Sequence, residues 1–442
     1  MKTTRRSFFT GLAASGIAAA ARPAGSRPVI LLRNEWQMVN IGDIGHGPGA
    51  LSLIRKYFPE ADVILWPVSM NPEVREMLLH GYPGLRIVEG GLDADNRPKT
   101  PELKKAWADT DFYLSGSGSG FPASANAAAF HRATGKPFGV FGVSTDPISG
   151  VGGDRIPEGG TLNEIRARAS ALPSTHLSSE LRWILDRVSF FFCRDTISRD
   201  YLKSQKVRTP ILEFGPDSQL GMHLRDDARG FAYLETSGLK EGKFICVIPR
   251  SRYTVKEPYR QGDDIKIAIN KRTKEKDHAK LREVIVAYVK KTGNKVLVCP
   301  EMTYQIALGK EVLVDPLPSD VKKNVVWRDR FWLPDEAASV YSKARAVVGL
   351  ECHSPLIAYR NGTPAFYVRE PTDTCKGQMY RDIGADRWFF EVDETSGEEL
   401  WSRVSEIERD PAAAKGKVRS IMNFVEGRQK RMVDALRTAC GA

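Results

Sequence analysis

An α/β fold is predicted, built as two Rossmann-like, doubly wound domains that face each other across a cleft. From Arg27 onward, short apolar runs alternate with segments of helical spacing, as in parallel βα units. The alternation pauses in a polar, glycine-bearing stretch from Gly221 to Gly242 and then starts a second series. A chain of 442 residues is also too long for one core.

Taken in order, PVILLRN (Pro28–Asn34) is a buried-strand run, and GALSLIRKYF (Gly49–Phe58) has helical spacing that ends before Pro59. DVILWPV (Asp62–Val68) is a strand, and PEVREMLLHG a helix closed by Gly81. LRIVEG continues the series; a helix, a strand at Asp111–Leu114 and a glycine-rich turn follow. AFHRATGKPFGVFGVST repeats helix, turn and strand. Ile148–Ser174 is a polar insert; SSELRWILDRVSFFFCRD then reads as helix and strand, and TISRDYLKSQ as a helix.

The second series opens with the strand KFICVIPRSR and the amphipathic helix DHAKLREVIVAYVKKTG. KVLVCPE, KEVLVDPL, EAASVYSKA, RAVVGLECH and TPAFYV follow in α/β order. The expected units are 1–26, 27–225, 226–394 and a helical tail at 395–442 that packs back across the first half.

Residues 1–26 carry Thr4–Phe9 (TRRSFF), an Ala/Gly-rich apolar stretch and a small-residue region, the pattern of a twin-arginine export signal. Passage through the Tat translocase and an extracytoplasmic location, in periplasm or cell envelope, are the expectation. The formal charge is +11, and losing Lys2, Arg5, Arg6 and Arg22 leaves +7. No aromatic-interleaved basic run accompanies that charge, which argues against nucleic acid and for anionic ligands. No apolar run reaches the roughly 18 residues of a membrane span. The six cysteines show no CxxC spacing and name no disulfide framework.

Candidate site residues cluster at expected strand ends, where α/β sheets present groups to ligands. After the first strand, Asn40, Gly42, Asp43 and Gly45 form a polar loop able to aim N–H groups at an anion or a sugar hydroxyl. Asp43 read as a helix cap is the plainer alternative. Gly116 and Gly118 lie in LSGSGSGF, which lacks the dinucleotide spacing. Arg194 and Asp217 follow later strands; the plainer alternative is that Arg194 pairs with Asp195 or Asp217 to tie the domain face together.

Arg250 and Arg252 end the first strand of the second half as an arginine fork suited to carboxylate or phosphate. His353 ends the strand Ala346–Leu350 where a helix begins; it can switch protonation near neutrality, and Glu351 can orient it. His46 is a second candidate. The remaining histidines show no ligand spacing, so no metal is expected.

NIGDIGHGPGAL, ADTDFYLSGSGSGF, FFFCRDTISRDYL, FGPDS and ECHSPLIAYRNGTPAFYV occur in an order that resembles the polysaccharide pyruvyl transferases, over about Asn34–Asp393. The closing His353, Ala358, Gly362 and Pro364 pattern adds specificity. The resemblance implies an architecture similar to the GT-B glycosyltransferases and transfer of pyruvate from phosphoenolpyruvate to a sugar hydroxyl, here of a cell-envelope glycan. It implies that His353 protonates the enol carbon or assists departing phosphate, that Arg250 or Arg252 holds the donor, and that Asn40, Asp43 and the glycine loop line the acceptor side. Phosphoenolpyruvate would be a substrate, with no cofactor. The family pattern has Arg two residues before the histidine, where this chain has Glu351. Two other readings stay open: a non-catalytic glycan-binding relative, and a transferase or hydrolase without phosphoenolpyruvate in which Glu351 and His353 pair as acid and base.

Overall fold

The computed structural model describes residues 26–34, 37–121, 123–148, 159–254, 260 and 263–442. The twin-arginine segment lies outside the described residues. The first lobe contains β1 (Val29–Arg33), β2 (Asp62–Trp66), β3 (Arg86–Ile87), β4 (Phe112–Ser115), β5 (Gly118–Ser119), β6 (Phe138–Ser144), β7 (Phe191–Cys193) and β8 (Leu212–Phe214). Their order is β3-β2-β1-β4-β6-β7-β8, with β5 beside β6. The second lobe contains β9 (Phe244–Ile248), β10 (Lys295–Val298), β11 (Val325–Trp327), β12 (Ala346–Gly349), β13 (Ala365–Arg369) and β14 (Phe389–Glu391), ordered β11-β10-β9-β12-β13-β14. The pairings are parallel, as right-handed βα crossovers require. In each lobe the winding reverses direction at the first strand (β1 with β4, β9 with β12), so two switch points exist, where such sheets bind ligands.

The strands form because both faces of each sheet are covered by helices, which suits near-continuous apolar runs. In β1, Ile30 and Leu32 join one hydrophobic cluster and Leu31 the opposite one, following the two-residue alternation of strand side chains. Ile245, Cys246, Val247 and Ile248 of β9 are all inaccessible in the second core. All six cysteines are free thiols.

Some element boundaries differ from those expected. The NIGDIGHG stretch is the first two turns of helix Ile41–Tyr57, with Asn40 as its N-cap. The helix that follows β9 starts at Asp263, not near Asp277, because the run KRTKEK is rich in the good helix formers Lys, Arg and Glu. KEVLV (Lys310–Val314) is a wide helical turn. Within the polar insert, Thr161 and Glu164 form a capping box that starts helix Leu162–Ala171.

The lobes are closed on one another. Ile41, Leu162, Ile165, Ile197 and Leu220 of the first lobe join the hydrophobic cluster of the second. Polar ties reinforce this: Asp382 accepts from the Thr196 N–H (2.7 Å) and hydroxyl (2.8 Å), and Glu391 accepts from the Leu162 N–H at 2.8 Å. Helix Gly397–Arg409 packs on the second lobe, whereas helix Pro411–Ala439 returns to the first. There Met432, Val433, Ala435 and Leu436 complete one face of the first core, and Arg428 and Arg431 pair with Glu213. Leu436 is fully buried in that cluster, so Leu436→Ala should destabilise the protein by about 2–5 kcal/mol in urea unfolding. A loss of less than about 1 kcal/mol would show that the last helix is dispensable to the core.

Candidate functional site at the lobe junction

The site gathers residues from the carboxyl ends of strands in both lobes. Asn40 Oδ1 caps helix Ile41–Tyr57 by accepting from the N–H of Gly42 (2.6 Å) and Asp43 (3.4 Å). The amide groups that sequence reasoning offered to an anion are therefore taken by the chain itself. The same residue bridges to Met302, and the Ile41 N–H donates to the Glu301 carbonyl at 3.0 Å, stitching the helix start to the second lobe. Gly42, Gly45 and Gly49 fall on one helix face. A Cβ on Gly42 would overlap the His353 ring, one on Gly45 would come within 2.6 Å of the Gln219 amide, and one on Gly49 would overlap the Ser218 carbonyl. Bare backbone is what lets this helix reach both His353 and the turn after β8.

His353 sits at the amino end of helix Ser354–Arg360, 7% exposed, with its ring against Gly42. Its Nδ1 lies 3.0 Å from Glu301 Oε1, while Glu301 Oε2 accepts from the Ser354 N–H at 2.6 Å and hydroxyl at 2.8 Å. Burial works against a charged imidazole, but the adjacent Cys352 sulfur and the Glu301 carboxylate outweigh it and raise the His353 pKa well above the ordinary range. The His46 ring meets that of His353 edge-on at 5.2 Å. His46 Nε2 lies 3.2 Å from Asp217 Oδ2, which also accepts from Arg194 Nη1 at 2.7 Å. Burial opposes ionisation of Asp217, yet His46, Arg194 and His353 hold its carboxyl far below the usual range. Arg194 also donates to Ser144, so it is a structural tie between strand ends. Asp43 accepts from the Gln37 side chain and lies 3.9 Å from His46 Nδ1.

On the second-lobe side, Glu351 Oε1 accepts from Gln305 Nε2 at 2.6 Å and lies 3.5 Å from Arg250 Nε. Burial, only partly offset by Arg250, pushes the Glu351 carboxyl up to about 7. Arg250 is also bonded to Asp373 and lies 3.6 Å from Glu370. Neither Glu370 carboxylate oxygen has a hydrogen-bond partner among the described residues, and burial raises its pKa well above normal despite Arg250.

The structure thus brings together Asn40, Gly42, Asp43, His46, Asp217 and Arg194 with His353, and links Glu351 and Arg250 beside them. It does not bring Arg252 there. Arg252 Nε and Nη2 each donate to Asp277 at 2.7 Å and Nη2 also reaches Asp393 at 2.8 Å, so the expected fork is split. Gly116 gives way to Asn34, and Gly118 pairs with β6; the loop meets the site through Ser117, whose Oγ accepts the Ser218 N–H at 2.9 Å. Sequence reasoning missed Glu301, Gln305, Glu370 and Asp373. Glu301, in VCPE just past β10, carried a strand-end signal of the kind used elsewhere. No spacing along the chain showed that His46, Asp217 and His353 offer atoms within 4.8 Å of one another.

Replacing Glu301 by Ala removes the shared acceptor of His353 and Ser354 and should cost about 3–5 kcal/mol, read by chemical denaturation. The sign of its pH dependence follows from the raised imidazole pKa. That contribution is complete below the unfolded value of about 6.5 and fades as pH climbs through the folded value. Glu301→Gln should therefore lose more stability at pH 6 than at pH 9; an equal loss would remove the His353–Glu301 coupling.

The family model for polysaccharide pyruvyl transferase matches residues 40–370. No curated protein matches the chain significantly. Among solved structures, a putative UDP-N-acetylglucosamine 2-epimerase from Listeria monocytogenes aligns at TM-score 0.56 and 12% identity over 93% of this chain and 96% of its own. The UDP-GlcNAc 2-epimerase of Methanocaldococcus jannaschii aligns at TM-score 0.53 and 13% identity, over 93% and 99%. These likenesses establish the two-domain GT-B-type fold.

Proposed function

The chain belongs to the polysaccharide pyruvyl transferase family, and from that premise we propose that it transfers pyruvate from phosphoenolpyruvate to sugar hydroxyls of a cell-envelope glycan, with His353 as proton donor. The observation that carries this reading is the buried imidazole held by Glu301 at the junction of the lobes, its pKa raised well above the ordinary range by Cys352 and Glu301 against the effect of burial. In the proposed reaction His353 protonates the enol methylene carbon and positive charge develops on the adjacent carbon. A sugar hydroxyl adds there and gives up its proton, phosphate leaves with the C–O electron pair, and a neighbouring hydroxyl closes the ketal. One hydroxyl proton replaces the one spent by His353; the other leaves with phosphate. Asp43, 3.9 Å from His46 Nδ1, is the carboxylate offered for the first. The TRRSFF pattern supports an envelope acceptor.

Glu351 stands where the family carries Arg. An ionised carboxylate about 4 Å from a donor anion would cost up to about 4 kcal/mol at an effective dielectric near 20. With its carboxyl near 7, Glu351 is largely neutral in mild acid and does not repel. Phosphoenolpyruvate should therefore bind with a Kd that rises from pH 6 to pH 8, and the rise should be smaller in Glu351→Gln, which shares the donor's own titration. Calorimetry tests this. The crowding of Arg250 by Glu351, Asp373 and Glu370 favours a second reading, a donor other than phosphoenolpyruvate with Glu351 and His353 as acid and base. No saturable phosphoenolpyruvate binding, together with glycan turnover abolished in both Glu351→Gln and His353→Asn, would select it.

A further inference from the structure

We propose that His46, Asp217 and His353 form a binding site for a transition-metal dication, which clamps the two lobes together. Two imidazoles and a carboxylate are a common donor set for zinc, iron or cobalt. Donor atoms each about 2.1 Å from one ion lie about 3.0–3.4 Å apart. His46 Nε2 and Asp217 Oδ2 are 3.2 Å apart, and the His353 donor completes the set within 4.8 Å, which a side-chain shift of at most about 1.5 Å would close.

The surroundings have the outer shell such sites need. Glu301 lies 3.0 Å from His353 Nδ1 and the Cys352 sulfur 3.6 and 3.7 Å from the two ring nitrogens; with Nδ1 on Glu301, Nε2 would be the metal donor in the carboxylate–histidine–metal arrangement that fixes ring orientation. His46 Nδ1 has no hydrogen-bond partner among the described residues and lies 3.9 Å from Asp43. An ion on Nε2 moves the ring proton to that nitrogen, beside the carboxylate. Asp217 Oδ1 stays with the Gln219 N–H at 2.9 Å and Oδ2 keeps Arg194.

The ion takes two ligands from the first lobe and one from the second, so it ties the lobes together. His353 cannot hold an ion and donate a proton at once; the clamp is a resting or inhibited form, not a cofactor state. Its test needs neither sugar nor donor and so fails independently of the transfer reading. Chelator-treated protein titrated with Zn²⁺ by calorimetry should bind one ion per chain and melt at higher temperature. Binding should weaken more than tenfold in His46→Gln. It should weaken 10–100-fold in Glu301→Gln, which leaves all three ligands in place, with folding of both variants checked by circular dichroism. Co²⁺ should give visible absorption bands lost in His46→Gln. Binding below one equivalent, or unchanged in folded His46→Gln and Glu301→Gln, would overturn the proposal.

Discussion

The approach of helix Ile41–Tyr57 to the second lobe is the constraint on which the site depends. Its glycine face has no side chains to hold the neighbours away, so the His353 ring rests on Gly42 and the turn bearing Asp217 rests on Gly45 and Gly49. The cap at Asn40 and the bond from Ile41 to the Glu301 carbonyl fix the helix end against the strand that supplies Glu301. A methyl group at position 42 would separate the lobes at the point where their histidines meet.

Close approach buries charge, and burial sets the chemistry. Buried ion pairs are poor sources of net stability, because desolvation offsets much of the attraction. Arg194 with Asp217 and Arg250 with Asp373 are better understood as devices that hold strand ends in one arrangement. Their by-product is a set of displaced proton affinities: Glu351 pushed up to about 7, Asp195 up to about 6 and His353 raised, in each case with burial as the largest influence, adding to the shift for the two acids and opposing it for the imidazole. Perturbed groups of this kind gathered at the carboxyl ends of strands mark functional sites more often than scaffolding.

How much of the site was legible varied with the kind of residue. His353 and Glu351 stand at the end of an apolar strand just before a helix, and the fold turns that local pattern directly into position. Arg250 and Arg252 had the same local signal, yet only Arg250 joins the site, because Asp277 and Asp393 capture Arg252. Glu301 carried a weak signal and became the partner of His353 only because β10 lies two strands from β12, on the far side of β9. The loop expected around Asn40 became helix because its glycines, unfavourable in an isolated helix, are compensated by packing that a local reading does not contain.

Periodicity, turn residues and the shift at Gly221–Gly242 determined two parallel α/β units, since side-chain burial on a strand or helix is a local property of spacing. Motif order determined the family. Which charges neutralise which, and that residues 46, 217 and 353 converge, were decided by tertiary structure alone. Electrostatic partnership depends on distances of 3–4 Å between side chains, and those are set by how two sheets close on one another.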